Sequence, residues 1–207
     1  MGRLFFYTLA TILCCCSCTS NQQVRQTSDF TLNWKFMLGD EPQAFTAGFN
    51  DESWRTLDLP HDWSIEGTFS ADHPARPNGG ALPGGTGWYR KTFEIPASEK
   101  GKCVFIDFDG VYWNSTVWIN GELVGNRPNG YISFRYDLTP YIRFGEKNVI
   151  AVKVDNSQQP NSRWYSGSGI YRNVWLTVTN PVHIAGTLTL SASSEGLQSS
   201  EIKIKSY

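Results

Sequence analysis

Short runs in which hydrophobic and polar residues alternate recur along the chain from about Phe30 onward. The clearest are residues 103–108, 115–119, 148–154 and 171–178. A period of two places every second side chain on one face of a strand, so each run predicts a β-strand. No stretch of a dozen residues holds a helical period without Gly or Pro. Repeated short strands separated by turn signals predict an all-β fold, a sandwich or jelly roll.

The alternation also predicts which side chains form the core. Asn120-Gly121 separates two of the apolar runs and predicts a two-residue hairpin, because both positions of a type I′ turn need a positive φ. Within the runs, the positions that share one face are apolar. The inward-facing candidates are Val104, Ile106, Phe108, Val117, Ile119, Ile150, Val152, Val154, Val174 and Leu176.

Two long loops interrupt the strands and are candidates for function. Residues 70–87 are rich in Gly and Pro, and residues 157–169 are rich in Ser, Asn and Gly. Loops of this length inside a compact domain are usually functional, although the first would also suit a variable surface excursion. Trp63 and Trp88 flank the first loop, and Trp164 lies within the second.

The N-terminus predicts export. Arg3 precedes a short apolar run, which suits a secretory signal and is too short for a transmembrane helix. Ser17-Cys18 resembles a lipoprotein cleavage box, so residues 1–18 are expected to be a lipoprotein-type signal peptide with Cys18 lipidated. Residues 19–28 would then be a polar tether. Lipidation at Cys16, or a soluble periplasmic protein after ordinary cleavage, is the alternative.

Composition removes several classes of function. The formal net charge is −1, so the basic footprint of a nucleic-acid binder is absent. Four of the five Cys lie in the leader, and Cys103 alone cannot form a disulfide framework. Three His leave little for a multi-His metal site. We predict no metal and no cofactor.

The candidate chemistry is that of a carbohydrate binder. Phosphate-cradling Gly loops, Cys-x-x-Cys pairs and a nucleophile elbow are missing from the sequence of the body. Asp62, Glu66 and Asp72 are acids close in sequence, but such neighbours on a loop are usually only solvated. Trp offers a flat face for a sugar ring, and planar polar groups suit hydroxyls. The candidates for these roles are Trp63, Trp88, Trp164, His61, Asp62, Asp72, His73, Asn78 and Arg163.

Five blocks of sequence resemble the N-terminal domain of glycoside hydrolase family 2, as found in exported bacterial β-galactosidases. They occur in the family's order and spacing between Phe30 and Val178. The blocks are LPHDWSIEG at 59–67, GGTGWYRK at 84–91, FDGV at 108–111, VWING at 117–121 and SRWYSGSGIYR at 162–172.

The resemblance implies a jelly-roll sugar-binding domain over residues 29–180. An immunoglobulin-like domain would follow, and residues 181–207 would hold its first strands, at 187–190 and 201–205. In the family, a later β/α barrel supplies two catalytic Glu for retaining hydrolysis. We expect neither in this chain, so no catalytic residue is assigned and the chain alone is expected to be inactive.

The resemblance also ranks the binding residues. Arg163, before Trp164, falls where members place a sugar-contacting side chain, and Asp62 and His61 are weaker candidates. The expected partners are a β-galactoside, once the domain is joined to its barrel, and a membrane through the lipid anchor. A stand-alone carbohydrate-binding lipoprotein, or a family member with glucuronidase or mannosidase specificity, remains an alternative.

Overall fold

The structure is a computed structural model, and it describes residues 24–184. Within these residues the chain forms ten strands and three single 3₁₀ turns, Ser64–Glu66, Pro77–Gly79 and Ala97–Glu99. No helix in this range attains the length and apolar character that crossing a bilayer requires. The strands are β1 Arg25–Asp29, β2 Trp34–Leu38, β3 Arg55–Leu57, β4 Gly85–Glu94, β5 Cys103–Phe108, β6 Ser115–Ile119, β7 Glu122–Arg127, β8 Phe134–Asp137, β9 Lys147–Asn156 and β10 Val174–Thr179.

The strands form two antiparallel sheets that enclose one core, which confirms the predicted β-sandwich. One sheet has four strands in the order β1-β10-β5-β8, and the other has six in the order β3-β2-β4-β9-β6-β7. All ten side chains predicted to face inward are buried in the main core cluster. Alternation identified them correctly because each strand has one apolar face directed between the sheets.

The predicted strands agree closely with the observed ones. β5 and β6 have the predicted bounds, and β9 extends the predicted run at both ends. The β6–β7 hairpin turns at Asn120 and Gly121, whose φ angles are 53° and 91°. β10 starts later than predicted, at Val174, and Tyr171 before it donates its hydroxyl hydrogen to the carbonyl of Gly130.

A second apolar layer covers the outer face of the six-stranded sheet. Trp88 of β4 stacks on Trp118 of β6, with ring centroids 5.3 Å apart, and both pack with the segment before β3. Arg90, also on β4, is buried and donates to Asp51 at 2.7 Å and to the carbonyl of Ala44. The charge of Arg90 is thus paired with that of Asp51. These hydrogen bonds hold the segment before β3 against the sheet.

Part of the predicted tether belongs to the sandwich. Arg25–Asp29 forms β1, which pairs with β10 along its whole length, so the prediction of a tether is wrong for residues 25–28. This strand is polar and exposed on both faces, and therefore has no hydrophobic alternation to reveal it. The signal peptide at 1–18, the lipidation site Cys18 and the predicted strands at 187–190 and 201–205 lie outside the described residues.

Candidate functional site

Two chain segments run side by side at one end of the sandwich and form the candidate site. The backbone amide of His61 donates to the carbonyl of Ile170 at 2.8 Å, and that of Trp63 donates to Ser168 at 3.0 Å. The Asn156 side chain reaches over from the end of β9 and donates to the carbonyl of Gly167 at 2.9 Å. The segment that leads into the first long loop therefore lies against the end of the second.

Asp62 accepts hydrogen bonds that hold this junction together. Its Oδ1 accepts from the backbone amides of Ser64, at 2.9 Å, and Ser168, at 2.8 Å. Its Oδ2 accepts from the hydroxyl of Tyr165. Burial raises the pKa of Tyr165, and the bond to Asp62 and its charge raise it further, so the hydroxyl stays protonated and donates. Asp62 therefore accepts three hydrogen bonds from the protein.

A buried hydroxyl and amide network continues from Asp62 into the interior. The Ser64 hydroxyl bridges the carbonyl of Pro83 and the hydroxyl of Ser168, both at 2.7 Å. Asn156 donates to the same Ser168 hydroxyl at 2.7 Å. The network joins β9 to both long loops and so fixes the position of the second loop. No local sequence pattern relates these residues, so the network could not be predicted from the sequence.

His61 is also held from several sides, and its side chain is 8% exposed. Burial lowers the pKa of His61, and the charge of Glu66 opposes this only in part, so the ring is neutral near pH 7. Burial raises the pKa of Tyr89 strongly, so its hydroxyl stays protonated, and it lies within hydrogen-bonding distance of Nδ1 of His61, at 2.7 Å. Nε2 lies 3.0 Å from the guanidinium of Arg55 and 3.3 Å from the carboxylate of Glu66. Glu66 in turn pairs with Arg55 at 2.8 Å.

Arg163 and Trp164, by contrast, project from the second loop into solvent. The Trp164 ring is 60% exposed, and its Nε1 donates to the hydroxyl of Tyr131 at 3.2 Å. Tyr131 packs edge-on against Tyr112, with centroids 5.4 Å apart. Arg163 is exposed, and within residues 24–184 its side chain has no hydrogen bond or ion pair. The loop edge thus combines an accessible aromatic face with a free guanidinium.

Trp63 and Trp88 do not contribute to that edge. Each is 2% exposed, so the prediction that they offer faces to a sugar is wrong. Trp63 stacks on Phe36 and donates its Nε1–H to the carbonyl of Gly84 at 2.9 Å. A Cβ at Gly87 would lie 2.8 Å from the Trp63 ring, so glycine there allows the close approach. Both indoles are core side chains.

Other candidate chemistry is sparse in the described part of the chain. Residues 24–184 contain no group of three or more His, Cys, Asp or Glu placed to hold a metal ion. Cys103 begins β5 as a free thiol, as predicted for a strand residue. Asp72 and His73 lie on the first long loop, and the His73 ring contacts the carbonyl of Thr68 at 3.0 Å.

An aromatic face and a guanidinium at this loop edge are groups that can contact the apolar face of a sugar ring and its hydroxyls. The family profile described as "Glycosyl hydrolases family 2, sugar binding domain" matches residues 29–181, and the chain belongs to this family. The resemblance noted in the sequence is thereby confirmed, and the described sandwich is the family's N-terminal sugar-binding domain.

Several relatives are much longer than this chain. "Beta-galactosidase BoGH2A" of Bacteroides ovatus is 59% identical over 86% of the chain and 21% of its own length. A "Putative beta-glucuronidase" of Formosa agariphila is 45% identical over 83% of the chain and 16% of its own length. The crystal structure of a β-glycosidase from Bacteroides vulgatus superposes with a TM-score of 0.73 at 56% identity, covering 75% of this chain and 20% of that one. The chain spans about a fifth of the length of the first relative.

Proposed function

We propose that this chain is the sugar-binding domain of an exported β-galactosidase, in which Arg163 and Trp164 contact the terminal sugar. The proposal rests on one observation: Arg163 and Trp164 are both exposed, and a buried hydrogen-bond network holds the loop that carries them. The 59% identity to a β-galactosidase supports galactose as the sugar. The barrel of such an enzyme would complete the site.

The two side chains suit the two kinds of surface that a galactose presents. An indole face packs against the apolar side of a sugar ring. A guanidinium donates two parallel hydrogen bonds, which fits a pair of adjacent hydroxyls. We propose that Asp62 and His61 act mainly by holding the loops, because their polar atoms already bond within the protein.

The activity of this domain can be tested by transplanting it. Residues 24–181, which include β1, would replace the matching domain of the Bacteroides ovatus β-galactosidase, and the rest of that enzyme would stay unchanged. In that chimera, Arg163→Ala and Trp164→Ala should each lower kcat/KM for a galactoside about tenfold, since one lost contact is worth about 1.4 kcal/mol. Arg143→Ala, at the opposite end of the sandwich, is the matched control. Unchanged kinetics in both site variants would refute the assignment.

The chain alone should not hydrolyse galactosides. Retaining hydrolysis needs two carboxyl groups about 5 Å apart, which the family places on the barrel. Turnover by the purified 207-residue chain would contradict this proposal. Tight binding of galactosides by the chain alone would instead favour the alternative, a stand-alone carbohydrate-binding lipoprotein.

A β-glucuronidase is the second candidate. Relatives that carry this name are 45% and 38% identical to the chain. The free guanidinium of Arg163 would pair with the carboxylate of a hexuronic acid as well as with hydroxyls. Measuring the affinity of the chain for glucuronides and for galactosides distinguishes the two candidate functions. Tighter binding of the glucuronide, lost in Arg163→Ala, would establish the β-glucuronidase.

We also propose that the chain is a lipoprotein anchored through Cys18 in the periplasm. The basic start, the short apolar run and Ser17-Cys18 support this. One acyl chain binds membranes weakly, but several acyl chains would hold the domain at the membrane. Membrane fractionation of the wild type and of Cys18→Ala tests it. If the two fractionate and are processed alike, Cys16 or ordinary cleavage is the better answer.

A further inference from the structure

The outer face of the four-stranded sheet carries an open trough. One hollow of about 580 Å³ lies across the strands, and a second of about 600 Å³ lies at the sheet end near Tyr131. Their linings share Asp109 and Ser133, so the two hollows adjoin. Each has a volume within the range of ligand sites in proteins. We call the two together the sheet trough.

An aromatic ring lies on the floor of the trough. Val174 and Leu176 of β10 are buried in the core, so Trp175 between them faces outward. Its Nε1–H donates to Oδ2 of Asp109 at 2.9 Å, which fixes the orientation of the ring. A half-buried indole that has a fixed orientation and lines an open hollow is a platform for an apolar ring face.

Polar groups of both signs surround that ring. In register, Trp175 lies opposite Asp107, and Asp107 lies opposite Arg135. Arg135 donates to both carboxylate oxygens of Asp107, at 2.6 and 3.0 Å. Arg172 and Asp109 line the adjoining hollow. Two carboxylates and two guanidiniums balance in charge, which disfavours an anionic or a cationic ligand and suits one that presents hydroxyls.

The trough leads towards the exposed pair on the second loop. Tyr131 lines the second hollow, and its hydroxyl accepts the hydrogen bond of the Trp164 indole. A ligand could therefore pass from Trp164, over Tyr131 and Asp109, to Trp175.

From this geometry we infer that the sheet trough binds the continuation of a neutral oligosaccharide whose terminal sugar contacts Trp164. The inference deepens the proposed function and rests on it for the position of the terminal sugar. Trp175 is then the platform for a sugar that lies several units from the terminal sugar of the oligosaccharide. The substrate class is then an extended neutral glycan, and small galactosides use only one end of the surface.

Indole N–H signals of the ¹⁵N-labelled 207-residue chain test the inference directly. The probes are galactose, the neutral tetrasaccharides β-1,4-galactotetraose, cellotetraose and xylotetraose, and an acidic tetragalacturonate. At least one neutral tetrasaccharide should bind about tenfold or more tightly than galactose, equivalent to about 1.4 kcal/mol, and should shift the signal of Trp175. Trp175→Phe, which lacks the indole N–H, assigns that signal.

Two variants act on the trough in different ways. Trp175→Ala removes the platform, and Ser133→Trp blocks the exposed junction of the two hollows without removing a contact of the fold. Both should reduce tetrasaccharide affinity to that for galactose and leave galactose binding unchanged. Phe69→Ala is the control, because Phe69 is 78% exposed but lies outside the trough. Retained tetrasaccharide affinity in a folded Ser133→Trp chain overturns the inference.

The outcomes separate this inference from the proposed function. If galactose shifts the Trp164 signal but no neutral tetrasaccharide shifts that of Trp175, the trough is refuted and the proposed function stands. A tetrasaccharide that shifts Trp175 and leaves Trp164 unmoved supports the trough and refutes the assignment of Trp164. Tighter binding of the tetragalacturonate than of every neutral probe overturns the neutral class of ligand.

Discussion

The two segments that meet at the loop end of the sandwich use their polar side chains in opposite ways. In the first, His61 and Asp62 direct their polar atoms towards other groups of the protein. In the second, Arg163 and Trp164 extend into solvent, and only the indole N–H of that pair is engaged. Both segments belong to the blocks that resemble the family. A family motif therefore contains residues that shape the site as well as residues positioned to touch a ligand.

The contrast predicts that stability and binding separate along these segments. Substitutions in the first should change the free energy of unfolding, because each leaves buried donors without acceptors. Substitutions in the second should change binding and leave folding intact.

Asp62→Ala should have the largest effect. It removes the acceptor of two backbone amides and of the Tyr165 hydroxyl, and hydrogen bonds to a charged group are the stronger ones. We expect a loss of about 3 kcal/mol in the free energy of unfolding, measured by urea denaturation. Asp72→Ala, an exposed acid on the first loop, is the control and should change it by less than about 0.5 kcal/mol.

Gly167→Ala should destabilise the same junction from the other side. Gly167 has φ of +75°, and a Cβ there would lie 2.6 Å from Oδ2 of Asp62. We expect a cost of about 2 kcal/mol from strain and displacement of the carboxylate. Gly48→Ala, where a Cβ meets nothing within 4 Å, is the matched comparison. Equal costs at the two positions would show that the junction is looser than the structure indicates.

The pH dependence of stability should reveal the burial of His61. Its folded pKa is lowered by burial, so the unfolded chain binds the proton more readily. The stabilising contribution is complete above the unfolded pKa of about 6.5 and is lost as pH falls towards the folded pKa. The melting temperature should therefore fall between about pH 7 and pH 5. His61→Gln should flatten this slope, and His73→Gln should not.

Arg163→Ala and Trp164→Ala should have the smallest effects on stability, within about 0.5 kcal/mol of the wild type. Thermal unfolding of the two variants checks this. The result matters because it would assign any loss of galactoside turnover in the chimera to lost contacts. If either variant were strongly destabilised, that residue would, like Asp62, serve to stabilise the loop.

Much of the fold could be predicted because its signals are local. The bounds of β5 follow from the alternation of Val104, Ile106 and Phe108 with polar or outward residues. The hairpin follows from the positive φ that Asn120 and Gly121 accept. Neither depends on knowledge of distant residues.

The site was less predictable because its contacts are long-range. Ser64 and Ser168 are 104 positions apart, and no spacing rule brings them together. Indole side chains are equally ambiguous in sequence. Trp63 and Trp164 both sit in blocks typical of the family, yet one is buried and the other 60% exposed. The side of a loop that faces water is decided by packing, which residue type alone does not encode.

The polar strand β1 has a consequence for the colloidal behaviour of the domain. β10, with the sequence VWLTVT, is uncharged and rich in β-branched residues, which are features of segments that form intermolecular β-structure. β1 occupies its open edge with a short strand that carries Arg25 and Asp29. Charged, short edge strands discourage the addition of further chains. Without residues 25–29, the edge of β10 would be exposed and could pair with another copy of the domain. β1 therefore protects the domain against aggregation.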